Sequence, residues 1–142
     1  MRPSRWVGAA CVAVGLFAAS TALADFSTAA GDTLSVSTAV LLAPSSPSAS
    51  VAQCRAGDSV DVEVTWTASA SGATDGYAIY RSDEGGPSSR VGVVSGRGTT
   101  TFDDTNLPFD TASTYTVEAT RANWTSAPSA DAAVTTPASD CS

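Results

Sequence analysis

The sequence predicts an all-β domain, a two-sheet sandwich of about seven short strands behind an N-terminal export segment. Three observations lead there. Ala, Ser, Thr, Val and Gly dominate while Lys and His are absent and Leu, Glu and Met are scarce, a mix that favours strands and polar turns over amphipathic helices. Apolar and polar residues alternate with period two in several runs beyond Val51. Clusters of Gly, Pro, Asp and Ser separate these runs at regular spacing, which suits hairpins rather than crossover helices.

The chain has 142 residues, enough for one domain with short extensions. Residues 1–5 are basic, and residues 6–24 carry no charge and are rich in Ala, Val and Gly. Ala22 and Ala24 place small side chains where a signal peptidase requires them, with Asp25 next. Residues 1–24 are therefore read as a secretory signal peptide, and the protein as secreted or extracellular. The alternative is an uncleaved anchor, since residues 6–24 can just span a bilayer. Only in that case is the membrane a partner. Cys11 comes too early in the apolar run for a lipid-bearing cysteine and counts as a small apolar residue of the signal.

Residues 25–47 read as a linker or loosely packed N-terminal segment, rich in Ser, Thr and Ala and punctuated by Pro44 and Pro47. Leu34, Val36 and residues 40–42 could form one short strand within it. Residues 48–142 form the sandwich. A first strand is expected near residues 48–53. Val60, Val62, Val64 and Trp66 then alternate with Asp61, Glu63, Thr65 and Thr67, the mark of a half-buried antiparallel strand. Residues 76–82 make a strand with Tyr77 and Ile79 on one face and Tyr80 on the other. Residues 90–94, residues 99–103 around Phe102, residues 113–121 with Tyr115, Val117 and Ala119 inward, and residues 130–136 complete the set. Seven such strands in roughly ninety residues predict two packed sheets.

The same runs resemble a known family. Val64-Thr65-Trp66 followed by Gly76-Tyr77-Ala78-Ile79-Tyr80-Arg81 is similar to the second and third strands of a fibronectin type III domain. Thr101-Phe102-Asp103-Asp104, Leu107-Pro108 and residues 113–119 are similar to its corner and sixth strand. The resemblance covers residues 44–136 and implies a seven-stranded immunoglobulin-like sandwich with Trp66 as its central plug. It also implies that Leu107 and Tyr115 form the corner, the tyrosine hydroxyl tied to corner backbone. Cell-adhesive members display Arg-Gly-Asp between the last two strands; here only Arg97-Gly98-Thr99 occurs, in another loop, so integrin-type adhesion is not implied.

Charge and chemistry narrow the function. Beyond residue 24, five Arg face fourteen acids, a net charge of −9 by count. That surface repels phosphate backbones, so no nucleic acid is expected as a partner. Removing the signal leaves Cys54 and Cys141, a pair that an oxidising compartment would bridge. Closing a loop on the order of ninety residues stabilises by about 4–5 kcal/mol in the chain-entropy account. With no His there is no imidazole base, triad or His-based metal site, and neither cofactor nor catalytic residue is assigned. Asp103, Asp104 and Asp110 are the nearest thing to a carboxylate cluster, and a solvated turn is the better account of them. Asn123-Trp124-Thr125 fits a glycosylation sequon, but signal and composition look bacterial.

Tyr80 and Trp124 are the candidate ligand contacts, as aromatic rings that can stack on a sugar or anchor a protein; otherwise Tyr80 packs on a neighbouring strand and Trp124 tucks under its own loop. The expectation is an exported, non-catalytic binding or spacer module of the bacterial envelope or extracellular space, not an enzyme. Its partner is an extracellular protein or polysaccharide. The alternatives are a carbohydrate-associated accessory linked to polysaccharide degradation and a subunit of a surface fibre.

Overall fold

A computed structural model describes residues 40–55 and 59–139. The expectations for the signal peptide, its cleavage, Leu34, Val36 and Cys141 fall outside the described residues. The described chain forms eight strands: β1 Ser45–Arg55, β2 Ser59–Thr67, β3 Gly76–Asp83, β4 Ser89–Ser95, β5 Thr101–Leu107, β6 Ala112–Arg121, β7 Trp124–Thr125 and β8 Ala132–Thr135. One sheet has the order β1-β2-β5. The other has the order β4-β3-β6, with β7 and β8 both pairing along the free edge of β6. All pairings are antiparallel. The seventh strand is thus split in two.

The split has a physical cause. Between β7 and β8 runs Ser126-Ala127-Pro128-Ser129, and Pro128 has no amide to contribute to a ladder. Ser126 and Ser129 replace the missing bonds. Their amides donate to the carbonyls of Ala119 and Val117, and their hydroxyls accept from the amides of the same two residues at 2.9 and 3.0 Å. The edge of β6 is satisfied although no regular strand lies beside it.

The core follows from the alternation. Val62, Val64 and Trp66 of β2 pack with Tyr77 and Ile79 of β3 and Tyr115, Val117 and Ala119 of β6, all buried, and Val60 is buried in the same row of β2. Trp66 and Tyr77 meet edge to face, centroids 5.3 Å apart. The Trp66 indole N–H meets no acceptor among the described residues, so packing alone holds the ring. The Tyr77 hydroxyl accepts from the Ser69 amide at 3.0 Å and donates to the Arg97 carbonyl at 2.9 Å, which pins the β2–β3 loop to the β4–β5 turn. Leu41 also packs on this core. Val40 and Leu42 lie outside any strand and are exposed, while their carbonyls accept from Ser71 and Ser69.

Two of the strand bounds that differ from expectation do so at a bulge. β1 starts at Ser45, where a register shift with Ser46 at φ 49° lets the strand begin before Pro47. β5 does not stop at Asp103 but continues to Leu107. Val60 pairs with Leu107 and Val62 with Asp104, so β5 carries one extra residue there. Asn106, at φ 64°, absorbs it. A strict period of two would turn Leu107 outward; the bulge returns it to the core beside Asp104's face.

The chain enters at one pole, where Ser45 pairs with Thr67, and β1 carries it to the opposite pole at Arg55. β8 ends at that second pole, where Thr135 pairs with Ala112, and β1 and β8 lie in contact.

Urea unfolding should show that Trp66→Ala costs about 3–5 kcal/mol, the range for truncating a buried aromatic. Gly76→Ala should also destabilise, by about 1–3 kcal/mol. A Cβ at Gly76 would collide with the Val94 backbone carbonyl on β4, which cannot move aside as a side chain could.

Candidate functional site

The inward face of β3 changes character along its length. Tyr77 and Ile79 are apolar, but Arg81 and Asp83 continue the same alternation, opposite Tyr115 and Ser113 of β6. Arg81 reaches across the sandwich to β5: its Nη1 donates to Asp104 Oδ2 at 2.7 Å. The Tyr115 hydroxyl donates to the same oxygen at 2.9 Å. Arg81 Nε also bonds Asp83, whose other oxygen accepts from Ser113 at 2.7 Å. The Arg81 and Asp104 side chains are only 22% and 11% exposed. Burial, and next the neighbouring carboxylate, push the Tyr115 hydroxyl far above its ordinary pKa, so it stays a donor.

This arrangement corrects two expectations. Tyr115 does not tie its hydroxyl to corner backbone; it bonds the Asp104 carboxylate, because Asp104, opposite Val62 and two residues after Phe102, faces inward from β5. Nor do Asp103, Asp104 and Asp110 form a cluster or a solvated turn. Asp104 is buried in the ion pair, whereas Asp103 faces outward and Asp110 sits in the β5–β6 loop at φ 50°, its amide donating to Pro137. Among the described residues no group of three or more His, Cys, Asp or Glu side chains converges as a metal ligand set.

A second clamp closes the β1–β2 hairpin. Arg55 donates through Nε and Nη2 to Asp61 Oδ2 at 3.0 and 2.7 Å, and the Asn106 amide of the bulge donates to Oδ1 at 3.1 Å. The Arg55 bond holds the Asp61 carboxyl below its usual range, against the opposing effect of burial and with help from Asn106. Cys54 is half-buried beside Arg55, and its expected partner, Cys141, lies outside the described residues.

Tyr80 and Trp124 are not brought together. Tyr80 pairs with Thr116 and lies half-buried on the outward face of its sheet. There it lines an open groove with Ser82, Thr114, Thr116, Glu118 and Asp131. Trp124 pairs with Arg121, which continues the inward row of Tyr115, Val117 and Ala119, but beyond the end of the core. It is 64% exposed at the tip of the β6–β7 hairpin, not tucked under its loop. Two separate surfaces result. The sequence reading did not single out Glu118 and Asp131; Glu118 was legible as an outward position of β6, but Asp131 joins it only through the split seventh strand.

This is a fibronectin type III-like β-sandwich, and solved structures of that fold match it. An Fn3-like protein from Clostridium thermocellum matches with a TM-score of 0.53 and 24% identity, over 69% of this chain and 95% of that one. The FN1–FN3 domains of chicken CNTN1 match with a TM-score of 0.56 and 22% identity, over 66% and 30% respectively. Titin kinase with its flanking domains gives 0.56 and 24%, over 70% and 18%. At these identities the likeness is one of fold. No protein-family profile and no curated protein matches the chain.

Arg81→Ala should destabilise by about 3 kcal/mol in chemical unfolding, since it strands a largely buried carboxylate. Asp61 gives a pH signature. Its folded pKa lies below the unfolded value of about 3.9, so its stabilisation is present above that pH and is lost as pH falls through the folded pKa. Acid titration of the melting temperature should therefore fall less steeply below about pH 4 in Asp61→Asn than in the parent protein.

Proposed function

We propose that the chain acts as an exported, non-catalytic binding or spacer module of the bacterial cell envelope or extracellular space. One observation carries the reading: the ionisable groups inside the sandwich are spent on one another. Asp61 is held by Arg55, Asp83 and Asp104 by Arg81, and Tyr115 by Asp104. A chain without His would have to draw its acid–base chemistry from carboxylates, and Asp61, Asp83 and Asp104 are engaged in holding strands and sheets together. The fold adds support, since such sandwiches serve as scaffolds whose function resides in surface contacts.

Export and the Cys54–Cys141 bridge belong to the same proposal. Cys54 lies at the pole where β8 ends at Thr135, which precedes Cys141 by six positions in the sequence. A bridge there would fasten the last strand to the first, across the two sheets.

Intact mass of protein recovered from its host, with medium and membrane separated, tests the proposal. The expected species begins at Asp25, is found in the medium, and gains two hydrogens on reduction. A full-length species held in the membrane would replace secretion with anchorage through residues 6–24. An unchanged mass on reduction would remove the bridge.

A further inference from the structure

The outward face of β3 and β6 carries a surface that the core does not need. Antiparallel register puts Tyr80 opposite Thr116 and Ser82 opposite Thr114, so short hydroxyl side chains form a floor beside an aromatic ring. Glu118 continues this row on β6. The irregular segment between β7 and β8 raises Pro128 and Asp131 as a wall, and the result is an open groove. The ring of Tyr80 is half-buried, hence held in place rather than sweeping through solvent.

We propose that this groove binds an oligosaccharide whose sugars carry free amino groups. The inference rests on the reading of the chain as a non-catalytic binding module, and it names the ligand class. An aromatic face beside hydroxyls and carboxylates matches a sugar ring, which offers one C–H face for stacking and a rim of hydroxyls for hydrogen bonds. Charge decides which sugar. Glu118 and Asp131 both line the groove, no basic residue does, and neither acid has an ion-pair or hydrogen-bond partner among the described residues. Asp61, Asp83 and Asp104 are all engaged, so the two groove acids differ from the structural ones. Covering an unpaired carboxylate with ligand is costly unless the ligand returns charge and donors. An ammonium group supplies both. Uronic or phosphorylated glycans meet repulsion from the same two residues and from the net charge of −9 beyond residue 24.

The test titrates the mature protein with a glucosamine oligosaccharide, with N-acetylglucosamine and glucose oligosaccharides of equal length, and with oligolysine of matched charge. Calorimetry gives the affinity, and amide chemical shifts of β3 and β6 give the location. The glucosamine chain should bind at least about tenfold more tightly than either neutral chain and weaken in high salt. Tyr80→Ala, and the double variant Glu118→Gln with Asp131→Asn, should each weaken binding by about tenfold, while Trp124→Ala leaves it unchanged. The double variant alters only solvent-facing groups, so it remains informative if Tyr80→Ala proves unstable. Absence of binding by the glucosamine chain, equal binding of glucose or oligolysine, or indifference to the groove variants would each overturn the proposal. Those outcomes leave the non-catalytic reading standing. Cleavage of the glucosamine chain would overturn that reading instead.

Discussion

Two sheets filled largely by Val, Ala and a few rings need something that fixes their relative position, and here one cation does so. Arg81 leaves the β3 ladder, crosses the sandwich and binds Asp104 on β5, with Tyr115 closing on the same oxygen. Apolar packing is forgiving of small slides, because one methyl contact resembles the next. A charge-assisted bond at 2.7 Å is not. A slide by two residues in either sheet would leave a guanidinium and a carboxylate unpaired, which costs several kcal/mol. Asp83 and Ser113 extend the constraint to the end of β3 and the start of β6, so the polar end of the sandwich is as specified as the apolar one.

The bulge in β5 adjoins this arrangement. It is secured from the opposite side by Asp61, whose carboxylate accepts the Asn106 amide while Arg55 neutralises it. Through that link the β1–β2 hairpin, the end of β5 and the inter-sheet pair form one connected set of bonds. Asp61 is thus an outward position that is nonetheless buried, covered by Arg55, the last residue of β1, and by the backbone of the neighbouring strand.

Most of the fold was legible in the sequence because period-two patterning is a local signal. Val60 to Trp66 and Tyr115 to Ala119 announce their buried faces without knowledge of any partner strand. What escaped was set by partners. The extension of β5 to Leu107 depends on a bulge matched to Val60, and Asp103-Asp104 reads as a turn when taken alone. The bond of Tyr115 to Asp104 could not be found from spacing, since it joins residues of opposite sheets. The split seventh strand escaped for another reason: serine hydroxyls there stand in for backbone, and composition shows only a polar, proline-bearing stretch. Of the two aromatic candidates, the outward position of Tyr80 followed from alternation. The companions it meets on the groove wall did not, because they come from a segment that has no period.

The course of β1 has a mechanical consequence. The strand starts at the pole where the chain enters and delivers Cys54 to the pole where β8 ends. In the proposed bridged form, tension applied ahead of Ser45 and beyond Cys141 would run along β1 and through the sulfur–sulfur bond. The remaining strands would lie outside the load path. β1 is already extended, so pulling has little slack to draw out, and the sandwich would be carried by the tensioned strand rather than unravelled by it. Reduction would return the load to the hydrogen-bonded ladders of β6 and β8.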